Sequence, residues 1–197
     1  EMIQTNPTLV ELTFSEIRLD PYLAERGNLL LKPYSNLNNN LFYEHKKGLF
    51  TFNANLRHHY KHNPIMESVK EQGNIFLIIP ENMKSWNKYN AEMNLKVGMI
   101  KNILQFSLTG GYNHFNSQGN NYSHEYSNFY YSANVLAMYK KWMFIVQIQP
   151  FDEKLYGETV IKSGNYHYLA IQYNTDNFSF GIGAFNPFKN VSRTVIE

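Results

Sequence analysis

From residue 34 onward, apolar and polar positions alternate. In LFTFNANLRHHY (49–60), Phe50, Phe52, Ala54 and Leu56 share one side, and Thr51, Asn53, Asn55 and Arg57 the other. In YNAEMNLKV (89–97), Tyr89, Ala91, Met93, Leu95 and Val97 oppose Asn90, Glu92, Asn94 and Lys96. A period of two is the mark of a strand with one apolar face. The same reading predicts strands over 36–44, 49–60, 86–97, 103–115, 126–139, 142–149, 165–175 and 178–185. Helical periodicity is nearly absent. Only TLVELTFSEIRL (8–19) offers it, and its β-branched residues reduce the expectation to a short helix or irregular chain.

The pattern implies an all-β, antiparallel up-and-down meander of about eight long strands, part of a β-barrel or closing as one. Residues 1–35 read as an irregular lead-in, 36–190 as barrel strands and 191–197 as a tail. Most predicted strands have about 9–13 residues, against about 5–6 in soluble sheets. Membrane-crossing strands need about 9–11. Connections alternate too. Those at 45–48, 98–102, 140–141 and 176–177 are short, and those at 61–85, 116–125 and 150–164 are long. Short turns at one end and long loops at the other are the habit of outer-membrane barrels. Aromatic residues gather near strand ends, among them Tyr43, Phe50, Tyr60, Trp86, Tyr89, Phe115, Tyr126, Tyr130 and Trp142. Their amphipathic rings suit a headgroup boundary.

Composition narrows the function classes. The 197 residues carry a net charge of +2 with scattered basic side chains, so no phosphate-tracking stripe forms and no nucleic-acid partner is expected. There is no cysteine, hence no disulfide framework or thiolate site. Mean hydropathy is −0.45, and no apolar run reaches the roughly 18 residues of a membrane helix. Any crossing of a membrane must use strands.

Four short runs, GNLLLKPYSN (27–36), NNYSH (120–124), YGET (156–159) and FNPF (185–188), resemble the barrel region of Bacteroidetes-type TonB-dependent outer-membrane receptors. In that family a Gly-Asn-Pro-x-Leu-Lys-Pro run is common. Here Leu29 stands at the Pro position, while Leu31, Lys32 and Pro33 match. The similarity extends from about Asn6 to Asn190. It implies a C-terminal portion of such a receptor, in the bacterial outer membrane. Outer-membrane lipid would surround it, and the parent protein would supply a plug domain and contact with the TonB system. The imported ligand would be an iron chelate or a glycan. Chain start and end (Glu1 and VSRTVIE) suit a portion of a longer protein.

No catalytic pattern competes. No Gly-x-Ser-x-Gly elbow occurs, and among the acidic residues Glu92 alone lies deep in a predicted strand. The histidines His58, His59 and His62 lack a fixed third ligand, so neither metal nor cofactor is expected. Gly110 and Gly111 read as a barrel bend or bulge. Asn55, Arg57, Asn90, Glu92 and Asn94 are expected to face the lumen. Lys84, Trp86, Tyr122, His124 and Tyr156 are expected in long loops that touch a small-molecule or glycan ligand. The alternative is a self-contained small barrel that binds an apolar ligand inside. Alternation alone serves both, because apolar-in and apolar-out strands are mirror images.

Overall fold

The computed structural model describes residues 2–99, 103–149, 153–162, 166–187 and 195–196. In chain order these form β1 (Met2–Thr5), α1 (Leu9–Leu12), β2 (Glu16–Asp20), β3 (Leu23–Arg26), β4 (Tyr34–Lys47) and β5 (Phe50–His62). Then come β6 (Ile65–Gln72), β7 (Ile75–Asn82), β8 (Ser85–Met99), β9 (Leu104–Gln118), β10 (Ser123–Tyr139) and β11 (Trp142–Gln149). The last are β12 (Glu153–Tyr156), β13 (Thr159–Lys162), β14 (Tyr166–Asn174), β15 (Ser179–Phe185) and β16 (Val195–Ile196).

The fold is all-β. One antiparallel sheet of nine strands, ordered β1-β4-β5-β8-β9-β10-β11-β14-β15, carries every predicted long strand. It is open: among the described residues no strand covers the outer edge of β15, and β1 covers only Tyr34–Leu37 of β4. Two smaller sheets, β2-β3-β7-β6 and β12-β13-β16, are built from the lead-in, the two long connections and the tail.

Register assigns the faces. Directly opposed residues lie on the same face. Phe52 opposes Leu95, Leu95 opposes Leu108, Leu108 opposes Ala133, and Ala133 opposes Ile148. One face is therefore apolar from Trp142 and Phe50 up to Leu56, Ala91, Tyr112 and Phe129. Its side chains stay open, with Met93 62% and Phe129 83% exposed. The other face carries Asn55, Arg57, Asn90, Glu92, Asn94, Ser107, Thr109 and Asn113. The apolar core lies elsewhere, at the end where the long connections gather. There Ala24, Leu77 and Ile79 pack in the four-stranded sheet, and Met66, Met83, Phe115 and Leu155 are buried.

Several expectations need correction. The eight expected long strands are all present, and β1 adds a short ninth beside the start of β4. The 1–35 segment is not irregular: it holds β1, β2 and β3. Only Leu9–Leu12 is helical, closed by a Thr8–Glu11 capping box, and Ile17 and Leu19 go into β2. The connections 61–85 and 150–164 contain the hairpins β6–β7 and β12–β13. The 116–125 loop shrinks to 119–122 as β9 and β10 run on. The first short turn is Gly48-Leu49, one step beyond HKK, with Gly48 at φ 58°. A positive φ at the first centre of a two-residue hairpin loop is what glycine supplies without steric cost. Of the 98–102 turn, Gly98 and Met99 belong to β8, and 100–102 lie outside the described residues, as do 191–194 of the tail.

The GNLLLKP run is a staple. Gly27 passes so close to the 13th residue that a Cβ would stand 2.3 Å from the Thr13 carbonyl oxygen. Its N–H donates to that oxygen at 2.9 Å, and the Asn28 N–H donates to the Glu11 carbonyl at 2.7 Å. Asn28 Nδ2 then donates to the Pro80 carbonyl (3.1 Å), and the Lys32 N–H to Asn82 Oδ1 (2.7 Å). Asn82 Nδ2 returns bonds to the carbonyls of Lys32 and Asn63, both at 2.9 Å. The lead-in is thereby tied to the β6–β7 hairpin.

Candidate functional site at the polar face and loop end

Five residues expected on the polar face are all there. Glu92 is their centre. Arg57 Nη2 lies 3.6 Å from Glu92 Oε1, and the Tyr130 hydroxyl donates to Oε2 at 2.7 Å. Asn90 Nδ2 donates to Asn113 Oδ1 and to the Tyr130 hydroxyl oxygen, each at 2.9 Å. One strand turn away, Asn94 Nδ2 donates to Thr109 Oγ1 (2.6 Å) and Ser107 Oγ (3.2 Å). Asn55 stands opposite Glu92 in the register. A cavity of about 450 Å³ opens over this network, lined among others by Arg57, Glu92, Asn113, Tyr130 and Gln149.

The network is incomplete from within. Asn55, Asn90 and Asn94 each hold a buried Oδ1 with no partner among the described residues, and Asn128 holds both amide atoms so. A buried acceptor left unpaired costs roughly 1–3 kcal/mol. Such a face is energetically matched to water or to another polar surface, and not to apolar matter.

Tyr130 is the residue that the sequence reading put in the wrong place. It was grouped with interfacial aromatics, as were Trp86, Phe115 and Tyr126. All four belong to the polar face by register. Parity was the available signal: Trp86 and Lys88 continue the Asn94-Glu92-Asn90 side of β8. Gly110 and Gly111 make no bulge, since the pairing with β8 and β10 runs through both without a shift. Gly111 instead makes room for the Tyr130 ring, whose Cζ would lie 2.2 Å from an added Cβ. Gly110 faces the other way into open space.

At the loop end the β12–β13 hairpin folds onto the polar face. Leu155 is buried there, and its carbonyl accepts from Trp86 Nε1 at 3.0 Å. Trp86 and Phe115 rings meet at 6.1 Å, Phe115 and Tyr126 at 6.4 Å, and the Tyr126 hydroxyl donates to Glu153. The Tyr156 hydroxyl donates to the Ile65 carbonyl at 3.5 Å, joining this hairpin to β6. Gly157 of YGET packs near Tyr122 of NNYSH, so two of the sequence runs touch. Phe188 of FNPF lies outside the described residues, but Asn186 caps β15 through a 2.7 Å bond from the His167 N–H to its Oδ1.

The five loop candidates therefore divide. Trp86 is committed to packing. Tyr122 stacks on His124 at 5.1 Å and shares a 3.4 Å bond with Ser117. Tyr156 keeps 41% of its surface exposed. Lys84 and His124 are exposed. Burial raises the pKa of both Tyr122 and Tyr156 above the ordinary 10.0, and for Tyr156 the nearby Glu67 carboxylate adds to it. A phenol whose folded pKa exceeds its unfolded one contributes stability that is intact below pH 10 and lost as pH rises through the folded value. Alkaline titration should thus show these two tyrosinates forming later than exposed ones, with the cap loosening as they ionise. Loosening at neutral pH in ultraviolet absorbance and limited proteolysis would contradict that origin.

Among the described residues no group of three or more metal-ligating side chains occurs. His58 stacks on Tyr89 at 4.4 Å on the apolar face, whereas His59 faces the polar side and meets Asn38 Oδ1 at 2.7 Å. No helix among the described residues is long and apolar enough to cross a membrane.

A family model described as outer membrane protein beta-barrel family matches residues 3–195. No curated protein and no solved structure matches the chain.

Proposed function

Because the chain belongs to the outer membrane protein beta-barrel family, and hence to the bacterial outer membrane, we propose that it is part of the barrel wall of a TonB-dependent receptor that imports a nutrient, an iron chelate or a glycan. In this reading the apolar face meets lipid and the polar face lines the lumen. The wall is not catalytic. Loops capture the ligand, and a plug inside the barrel moves under energy relayed by TonB.

The observation that carries this reading is the polar face itself, where Arg57, Glu92, Asn113, Tyr130 and Gln149 border an open cavity of about 450 Å³. Such a surface bonds to water or to a polar plug, and lipid against it would strand its charges and amides. Among the described residues the edge of β4 along Asn38–Lys47 and the outer edge of β15 have no neighbouring strand, which adds weight. Exposed backbone N–H and C=O groups in lipid cost several kcal/mol each, so in the membrane both edges must be covered, and in this reading strands of the wider barrel cover them. The rival, a small barrel with an apolar interior, would bring the apolar face inside. The β12–β13 hairpin folds onto the polar face, which favours polar-in.

Deleting the gene should abolish uptake of one labelled ferric chelate or oligosaccharide, and deleting TonB in the same background should reproduce the loss. Uptake that survives without TonB would overturn the proposal.

A further inference from the structure

The apolar face is not apolar to its top. Just above Leu56, Ala91, Tyr112 and Phe129 runs a polar rung, Asn39-His58-Tyr89-His114-Ser127, each residue directly opposite the next. The rung is internally bonded. Asn39 Nδ2 lies 3.4 Å from His58 Nδ1, and His58 Nε2 lies 3.2 Å from Asn87 Oδ1. His114 Nδ1 meets Ser127 Oγ at 2.8 Å. Tyr89 lies between the two imidazoles, stacked on His58 at 4.4 Å and tilted against His114 at 6.2 Å, and remains 49% exposed.

Beneath the rung the surface is hollow. A depression of about 640 Å³ is bordered among others by Leu41, Leu56, Arg57, His58, Tyr89 and Ala91. Ala91 at its border begins a diagonal of small residues: Gly110 one strand on and one pair down, then Ala133 likewise. Tyr112 and Tyr131 stand above this furrow, and Met93 and Leu108 below it. A Cβ on Gly110 would meet nothing within 4 Å.

We infer that this furrow and rung together form a site for one glycolipid of the outer leaflet, with an acyl chain along Ala91-Gly110-Ala133 and sugar hydroxyls against the rung. The chemistry of the rung chooses the headgroup. The rung itself holds no lysine or arginine, the groups that a bare phosphate favours, and Arg57 beside the depression belongs by register to the opposite face, where it pairs with Glu92. The rung holds amides, imidazoles and a phenol, which exchange hydrogen bonds with hydroxyls and present a ring face to a sugar. Its height fits as well, at the loop-side border of the apolar band, where headgroups of the outer leaflet lie. The inference rests on the lipid-facing orientation and not on transport.

The test uses the full-length protein purified from its own outer membrane in mild detergent. Native mass spectrometry should find a retained glycolipid. After delipidation, glycolipid extracted from the same membrane should raise the melting temperature, and phosphatidylethanolamine should not. Ala91→Phe, which fills the furrow, should weaken rebinding at least about tenfold, a loss of about 1.4 kcal/mol. His114→Ala on the rung is a second variant, chosen because it leaves the furrow alone; it should weaken glycolipid binding without creating phospholipid binding. Equal response to both lipids, or full rebinding by both variants, overturns the inference. Loss of glycolipid with uptake intact would leave the receptor reading standing, and TonB-independent uptake with glycolipid retained would do the reverse.

Discussion

Leu108→Arg should cost about 2–4 kcal/mol of folding stability in lipid, the range for a cation at the midplane of a lipid-facing strand surface. Thr109→Arg, its immediate neighbour, should cost a small fraction of that. Leu108 lies halfway down the apolar face, between Leu95 and Ala133 in the register. Thr109 points the other way, to Asn94. The two side chains are one residue apart and share backbone environment, so their difference isolates what each face touches. Denaturant unfolding of the full-length protein in lipid vesicles would read it. If the two substitutions cost the same, or if Thr109→Arg is the worse, the apolar face is not the lipid face. That outcome would favour the small barrel with an apolar interior.

The second large effect is expected at Gly111. A valine there would place a Cβ within 2.2–2.5 Å of three Tyr130 atoms. The ring sits in mid-strand, so relief means leaving Glu92 and Asn90. Overpacking costs about 1–3 kcal/mol, and a lost hydrogen bond to a charged group about 1.5–3. A total loss of roughly 2.5–6 kcal/mol follows. Gly110→Val should be far milder, since its side opens to free space. The pair Gly111→Val with Tyr130→Ala should fall well short of the sum of the singles, because removing the ring removes the clash. Strict additivity would show that Tyr130 does not occupy that groove in solution.

How far was this visible in the residues alone? The wall was, because a period of two fixes which side each residue takes once pairing is in phase. Asn55, Arg57, Asn90, Glu92 and Asn94 fell where parity put them. Parity also places Trp86 and Tyr130 on the polar face, and their nearness to strand ends does not change that side. The cap was not visible, for a physical reason. IFLII (75–79) does not alternate because both faces of β7 carry apolar side chains: Leu77 and Ile79 are buried on one, and Phe76 and Ile78 stand on the other. A short apolar run without period is a buried strand or a piece of buried helix, and periodicity alone does not choose. Gly110 and Gly111 are indistinguishable as letters, and only the partner strand tells which of them shelters a ring. Nor does the pattern say whether the open sheet meets further strands or its own far edge.

The two parts of the molecule differ in how far along the chain their bonds reach. In the wall, each strand of the central meander meets a neighbour reached through one turn or one hairpin. The cap is fastened by ties across 50 residues (Lys32 to Asn82), 52 (Asn28 to Pro80), 69 (Trp86 to Leu155) and 91 (Tyr156 to Ile65). Closing such spans demands more chain entropy than closing a hairpin, and their contacts come late for that reason. The order of assembly follows: wall hairpins first, then the staple from Gly27 to Asn82, and the β12–β13 hairpin last. A segment that joins last is not required for the steps before it. The β12–β13 hairpin can therefore change in length and sequence without altering how the strands beneath it pair.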